Sequence, residues 1–189
     1  GYELWREFLE ASNMRYWRCA AALDLHNVID TLTWDQASRI GIHIDHNHHL
    51  GGLMLSKGRQ YREGCLNADH AYWPLVDQLD GFIFTDYDVG YKKTVEIYRE
   101  EWMMPDTIAV KGDKGQIAQL LGIPCLLFDD RPDNIDLMTD RSSTNCILEG
   151  VQVLRGYKAR RRPAQGYMHA RTVDDIIFYI DNFDRAHQG

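Results

Sequence analysis

Pro124-Cys125-Leu126-Leu127-Phe128-Asp129-Asp130-Arg131-Pro132-Asp133-Asn134 is the stretch on which the reading of this chain turns. Residues 124–128 form an apolar run of strand length, too short for a buried helix. Two aspartates follow at once, and a helix is expected to begin over 134–138. A strand that is apolar along its whole length and tipped with carboxylates belongs in a parallel sheet covered on both faces. In such a sheet, ligands bind beyond the carboxyl ends of the strands.

The same pattern recurs upstream. Residues 17–25, with Cys19-Ala20-Ala21-Ala22-Leu23 at their centre, read as a buried strand running into Asp24, His26 and Asn27. Alanine is a weak strand former, so this reading leans on the polar cluster that follows. Gly81-Phe82-Ile83-Phe84 reads as a strand ending at Thr85, and residues 107–110 as another. Helices are expected over 91–102 and 115–121, the second stopped by Gly122. Residues 146–153 hold one more short strand. Residues 173–183 form an amphipathic helix capped by Thr172, and residues 2–13 another, with Leu4, Trp5, Phe8 and Leu9 on one face. Strand and helix alternate, so the expected fold class is α/β, a Rossmann-like three-layer parallel sheet.

Residues 33–80 depart from this rhythm. Thr33 could cap a short helix reaching Ser38, and 40–45 could be a strand. A turn rich in His and Gly follows at 46–52, with a loop over 58–67 and a helix over 71–79. The segment exceeds what a simple crossover needs and reads as a small cap or insertion in a single domain covering 1–189.

Composition narrows the function classes. At 189 residues the chain can bury a core without disulfides or a structural metal. Hydrophobic residues at 44% and charged residues at 26% exclude a mostly disordered chain. Apolar runs such as 123–128 are far too short to span a bilayer, so no membrane partner is expected. No secretory signal is expected before the first amphipathic stretch, and an initial Gly rather than Met fits a processed end or a tag remnant. Basic residues number 21 against 28 acidic ones, a net charge of -7, which disfavours general nucleic-acid binding. The cysteines Cys19, Cys65, Cys125 and Cys146 form no CxxC pair. That argues against a zinc ribbon and for reduced thiols in a cytoplasmic setting.

The strand ends supply the chemistry. Asp24, Asp129 and Asp130 bring carboxylates, Thr85 a hydroxyl, and Lys111 and Lys114 cations near a helix start. Carboxylates brought together repel one another, and a divalent cation relieves the repulsion; an all-oxygen donor set favours magnesium. Magnesium beside an aspartate nucleophile, a hydroxyl and a lysine suits phosphoryl transfer.

These residues resemble the haloacid dehalogenase (HAD) superfamily. The stretch from Ala22-Leu23-Asp24-Leu25-His26-Asn27 to Thr31 is similar to its first motif, a buried strand ending in DxDG[TV]. Phe82-Ile83-Phe84-Thr85 is similar to its second motif, Lys114 to its third, and Asp129-Asp130 with Asn134 to its fourth in the DDxxxN form. The resemblance covers roughly residues 18–31 and 80–140, and the motifs stand in the family's order. It implies a magnesium-dependent phosphatase, a hydrolase in which Asp24 forms an aspartyl-phosphate. Asp24, the backbone carbonyl of His26, and Asp129 would hold the ion. Asp130 would be a further ligand or support one, and Thr85 and Lys114 would bind the phosphate. The substrate would be a phosphorylated small molecule or macromolecule.

One departure bears on catalysis. The family's phosphatases carry a second aspartate, the general acid and base, where this chain has His26, and a glycine where it has Asn27. Imidazole, with an unperturbed pKa of about 6.5, can donate and accept protons near neutrality, so His26 could replace that aspartate. The change could equally mark a catalytically weakened HAD-fold subunit kept for binding or scaffolding a partner protein.

Two further features stand apart. His43, His46, His48 and His49, with Asp45, are dense enough to hold zinc or another transition metal. Asp45-His46-Asn47-His48 with Asn67 also faintly resembles an HNH-type nuclease finger. The default for these histidines is to line or cover the active site as part of the insertion, or simply to occupy a polar loop. Arg155, Lys158, Arg160, Arg161 and Arg162 form the strongest basic run, expected as a solvated loop, with a phosphorylated partner, an acidic protein surface or RNA as its uses.

Overall fold

The strand that opened the reading, β5 (Cys125–Asp129), is buried at every residue. It belongs to a computed structural model that describes residues 7, 10, 11, 17, 19–24, 28, 52–55, 81–85, 107–109, 124–143 and 146–187, with the backbone alone for 52–55, 81–85 and 107–109. Beside it lies β1 (Ala20–Asp24), buried except at its terminal Asp24. The remaining strands are β2 (Gly52–Leu55), β3 (Gly81–Thr85), β4 (Thr107–Ala109), β6 (Leu148–Val153) and β7 (Met168–Ala170). All seven join one sheet in the order β4-β3-β2-β1-β5-β6-β7. Two described helices accompany it, α1 (Pro132–Thr139) and α2 (Val173–Ala186). Glu7, Glu10 and Ala11, inside the expected first helix, are helical.

The class is α/β, and the parallel sheet is present with one correction. β1, β5, β6 and β7 run parallel in sequence, and β3 pairs parallel with β4. β2 is antiparallel to both β1 and β3, so the expectation of an all-parallel sheet fails at that strand. The physical reason is economy of path. A chain leaving β1 at its carboxyl end can re-enter the sheet at that same end only as an antiparallel neighbour, whereas a parallel one needs a crossover. Because β2 opposes both neighbours, β3 and β4 point the same way as β1 and β5. The segment 33–80 therefore contributes a strand to the main sheet; its other expected elements lie outside the described residues, as do the helices over 91–102 and 115–121.

Alanine-rich β1 forms a strand despite its propensity because it is central, paired on both edges and buried on both faces. Tertiary context decides such cases. Helices flank both faces. A methyl group on Gly150 of β6 would sit 2.3 Å from Ile135 Cγ2, so α1 covers that face closely. The adjacent Glu149, which strand alternation turns to the other face, pairs with His187 at the end of α2, at 3.6 Å. Helix α2 also anchors the entry to β1. The buried Asp184 carboxylate accepts from the Cys19 backbone N–H at 2.8 Å, and Asp181 from Trp17 Nε1 at 2.9 Å.

The element boundaries follow local chemistry. Helix α2 begins with the expected Thr172 cap, completed by Asp175 into a reciprocal capping box. Helix α1 begins two residues before Asn134, because Pro132 fits the first turn, where its missing N–H is not needed. β6 begins at Leu148 rather than Cys146, which instead bridges to Ser143. No helix among the described residues is long and apolar enough to cross a membrane. Cys19, Cys125 and Cys146 are buried, and none of the three is in a disulfide.

Candidate metal centre

The sheet reverses its direction of growth between β1 and β5: β2, β3 and β4 extend one side and β6 and β7 the other. Ligands of open α/β sheets collect at the carboxyl ends flanking such a switch. Leu23 pairs with Phe128, so the next residues, Asp24 and Asp129, leave adjacent strands side by side. Together with Asp130 they form a cluster in which one carboxylate oxygen from each lies within 4.8 Å of the others. Asp24 is partly exposed and the other two are buried, so the cluster is open on the Asp24 side.

The start of α1 fixes the Asp129 carboxylate. Its Oδ1 accepts from the Arg131 backbone N–H at 3.0 Å and from Asn134 Nδ2 at 3.4 Å. The spacing from Asp129 to Asn134 thus has a local purpose: one helical turn returns the amide to the strand tip. Arg131 also pairs with Asp133 at 2.6 Å, an exposed contact of small energetic weight.

A lysine that the sequence reading assigned to solvent completes the cluster. Lys158 Nζ donates to Asp130 Oδ2 at 2.6 Å, and both side chains are buried. Arg155, also buried, donates from Nη1 to the backbone carbonyl of Val28, in the segment following Asp24, at 2.8 Å. Burial pushes the Arg155 guanidinium below its usual range, partly countered by Glu7. The expectation of a wholly solvated basic run is therefore corrected: Arg155 and Lys158 turn inward, while Arg160, Arg161 and Arg162 are exposed.

The cause is topological. β6 lies parallel to β5, so the chain leaving Val153 emerges at the same sheet end as Asp129 and Asp130. Gly156, at φ 59°, adopts a left-handed conformation that disfavours other residues and folds the short 3-10 turn Gly156–Lys158 back toward the site. Arg171 pins the outer side of this turn through the carbonyls of Ala159 and Arg161. The exposed Tyr157 ring lies 5.6 Å from Lys158 Nζ and 5.3 Å from the Arg161 guanidinium. The available signal in the sequence was Gly156 at the end of an apolar run, a turn marker beside two basic residues. Using it required the strand order.

Of the other sequence-derived site residues, Thr85 ends β3 at the same sheet end as Asp24. Asp24 pairs with Gly52 and Gly52 with Phe84, so Thr85 is two strands over, roughly 10 Å across the sheet. His26, Lys111, Lys114, His43, His46, His48 and His49 lie outside the described residues.

The donor set fits a hard divalent cation: three clustered carboxylates, with one face open and second-row hydrogen bonds holding Asp129 in place. Comparison with models of known families, with curated proteins and with solved structures found no match.

Proposed function

We propose that this chain is a magnesium-dependent phosphohydrolase of the HAD type, with Asp24 as its nucleophile. The observation that carries the reading is the meeting of Asp24, Asp129 and Asp130 at the switch between β1 and β5. Asp24 and Asp129, with the backbone carbonyl of His26, are the groups that would hold magnesium, and Asp130 lies beside them. When bound, the ion would offset the charge of the carboxylates and of the phosphate oxygens, letting an anionic nucleophile approach an anionic ester.

In the proposed reaction an Asp24 oxygen attacks phosphorus, forming an O–P bond as the bond to the ester oxygen breaks. His26 gives a proton to that leaving oxygen. A water molecule then attacks the same phosphorus, His26 takes its proton, and the O–P bond to Asp24 breaks, releasing phosphate and restoring the carboxylate. Asn134 and the Arg131 N–H keep Asp129 oriented throughout. Thr85 and Lys114 are the phosphate-binding candidates. The phosphorylated substrate is small or macromolecular, with the exposed Arg160, Arg161 and Arg162 near the site favouring an anionic one.

The test is turnover of a generic aryl phosphate with and without magnesium. The wild-type chain is expected to release phosphate only with the metal, and Asp24→Asn to lower the rate by about 10³-fold or more. A wild type inert toward a broad set of phosphate esters would overturn the enzyme reading in favour of a binding or scaffolding subunit.

A further inference from the structure

The connection from β6 to β7 concentrates positive charge beside the acidic centre. Between Glu149 and Asp174 the chain has six basic residues and no acid, although its net charge is -7. We propose that the exposed part of this connection, Tyr157 with Arg160, Arg161 and Arg162, binds a single-stranded nucleic acid, and that the phosphate hydrolysed at Asp24 is the terminal phosphate of that strand. The terminal phosphate as substrate rests on the phosphohydrolase reading above; strand binding stands apart from it.

Position comes first. Lys158, Arg171 and Gln152 hold the connection at the carboxyl end of the sheet. Lys158 Nζ donates to Asp130 Oδ2 at 2.6 Å. Arg171, which follows β7 at that same end, donates to the carbonyls of Ala159 and Arg161. Gln152, the register partner of Asp129, accepts from the Ala164 N–H at 2.8 Å. The backbone of the arginines is thus fixed beside β6 and β7, one and two strands from Asp129, roughly 5 and 10 Å across the sheet. A strand of a few nucleotides spans that distance at about 3.4 Å or more each. Chemistry follows from exposure. Arg160, Arg161 and Arg162 are exposed, and among the described residues no carboxylate pairs with any of them. Adjacent guanidinium groups repel one another, and a polyanion relieves the repulsion. Three in a row beside the centre suit a ligand that carries several phosphates in line. The Tyr157 ring favours a nucleic acid over a phosphopeptide. It is 64% exposed, with the Arg161 guanidinium 5.3 Å from its centre, and both are surfaces on which bases stack. Bases free to stack belong to an unpaired strand. The acidic excess of the rest of the chain repels a polyanion and confines it to this lip.

Salt-dependent binding tests it. A fluorescein-labelled single-stranded oligonucleotide with a terminal phosphate is titrated with the purified chain, without metal and over a range of salt, and followed by anisotropy. The proteins are wild type, the triple variant Arg160→Gln/Arg161→Gln/Arg162→Gln, and Tyr157→Ala; a phosphopeptide of equal charge is the second ligand. The wild type is expected to prefer the strand, with affinity falling as salt rises. The triple variant should lower the slope of log affinity against log salt by about 2, and the affinity near 0.1 M salt by about 100-fold. Tyr157→Ala should lose about tenfold with the slope unchanged. All four positions are exposed, and thermal melting checks that each variant folds. With magnesium, the preference in kcat/KM for the oligonucleotide phosphate over an aryl phosphate should fall by about 100-fold in the triple variant. A wild type that binds the phosphopeptide as tightly as the strand, a triple variant with wild-type affinity and slope, or a Tyr157→Ala variant with wild-type affinity overturns the proposal. A strand held through the arginines whose terminal phosphate is never released overturns its assignment as substrate, through failure of the phosphohydrolase reading. A wild type that hydrolyses the aryl phosphate without holding the strand overturns the strand alone and leaves that reading in place.

Discussion

At the scale of single residues, the aspartates of this protein differ in the donor that meets each carboxylate. Asp184 accepts from a backbone N–H and locks α2 against the entry to β1. Asp129 accepts from a backbone N–H and an amide, beside Asp24. Asp130 meets an ammonium group. Removing one member of that buried pair should cost about 3–5 kcal/mol, because the other is left charged away from water. Cys19 shows the same local logic in a titrating group. Burial, then the neighbouring Asp184 carboxylate, pushes its thiol well above the ordinary value of 9.0. The folded chain keeps that proton while the unfolded chain releases it. Stability from this source is thus complete below the ordinary thiol value and is lost progressively as pH rises above it. Urea melts between about pH 8 and pH 10 should show stability falling, with a shallower fall in Cys19→Ala; identical slopes for the two proteins would remove Cys19 from the account.

At the scale of elements, the closest contact is between α1 and β6. Gly150 lets Ile135 come so near that an added methyl group would lie 2.3 Å from Ile135 Cγ2, with Ile135 Cβ and Thr139 Cγ2 each at 3.5 Å. Ile135 is buried and branched at Cβ, so it has little room to yield. Gly150→Ala should therefore destabilise the protein by about 1–3 kcal/mol, measured by denaturant unfolding. A variant as stable as wild type would mean that α1 shifts freely on the sheet. Elements that announce themselves by an apolar run with a polar tip were legible from sequence. β1, β3, β4 and β5 agree with expectation to within a few residues, and α2 starts at its foreseen cap. Three others were not. β2 is four residues long and follows a turn-rich stretch; β7 is three residues, two of them exposed at a sheet edge. The 3-10 turn that carries Lys158 has no periodicity to read. Short elements take their structure from their neighbours, and a local pattern holds no record of that.

At the scale of the whole molecule, strand order turns separate motifs into a site. The pairing of β1 with β5 was foreseeable as an idea, since both strands end in aspartate. That Asp24 and Asp129 come level is a matter of register. The part of the site that sequence left hidden, Lys158 and Arg155, depends on β6 lying next to β5, a fact about order rather than composition. A run of five basic residues in eight positions looks solvated until the sheet end beneath it is known to be acidic. The antiparallel β2 also sets the spacing of the centre on its other side, since it stands between Asp24 and the strand that ends in Thr85.

The most direct measurement is a crystal structure of the full chain soaked with magnesium and beryllium trifluoride, a mimic of the phosphoryl group. The account predicts one ion shared by Asp24 and Asp129, beryllium attached to an Asp24 carboxylate oxygen, and Lys158 still on Asp130. An ion bound elsewhere, or a mimic that leaves Asp24 untouched, would contradict it.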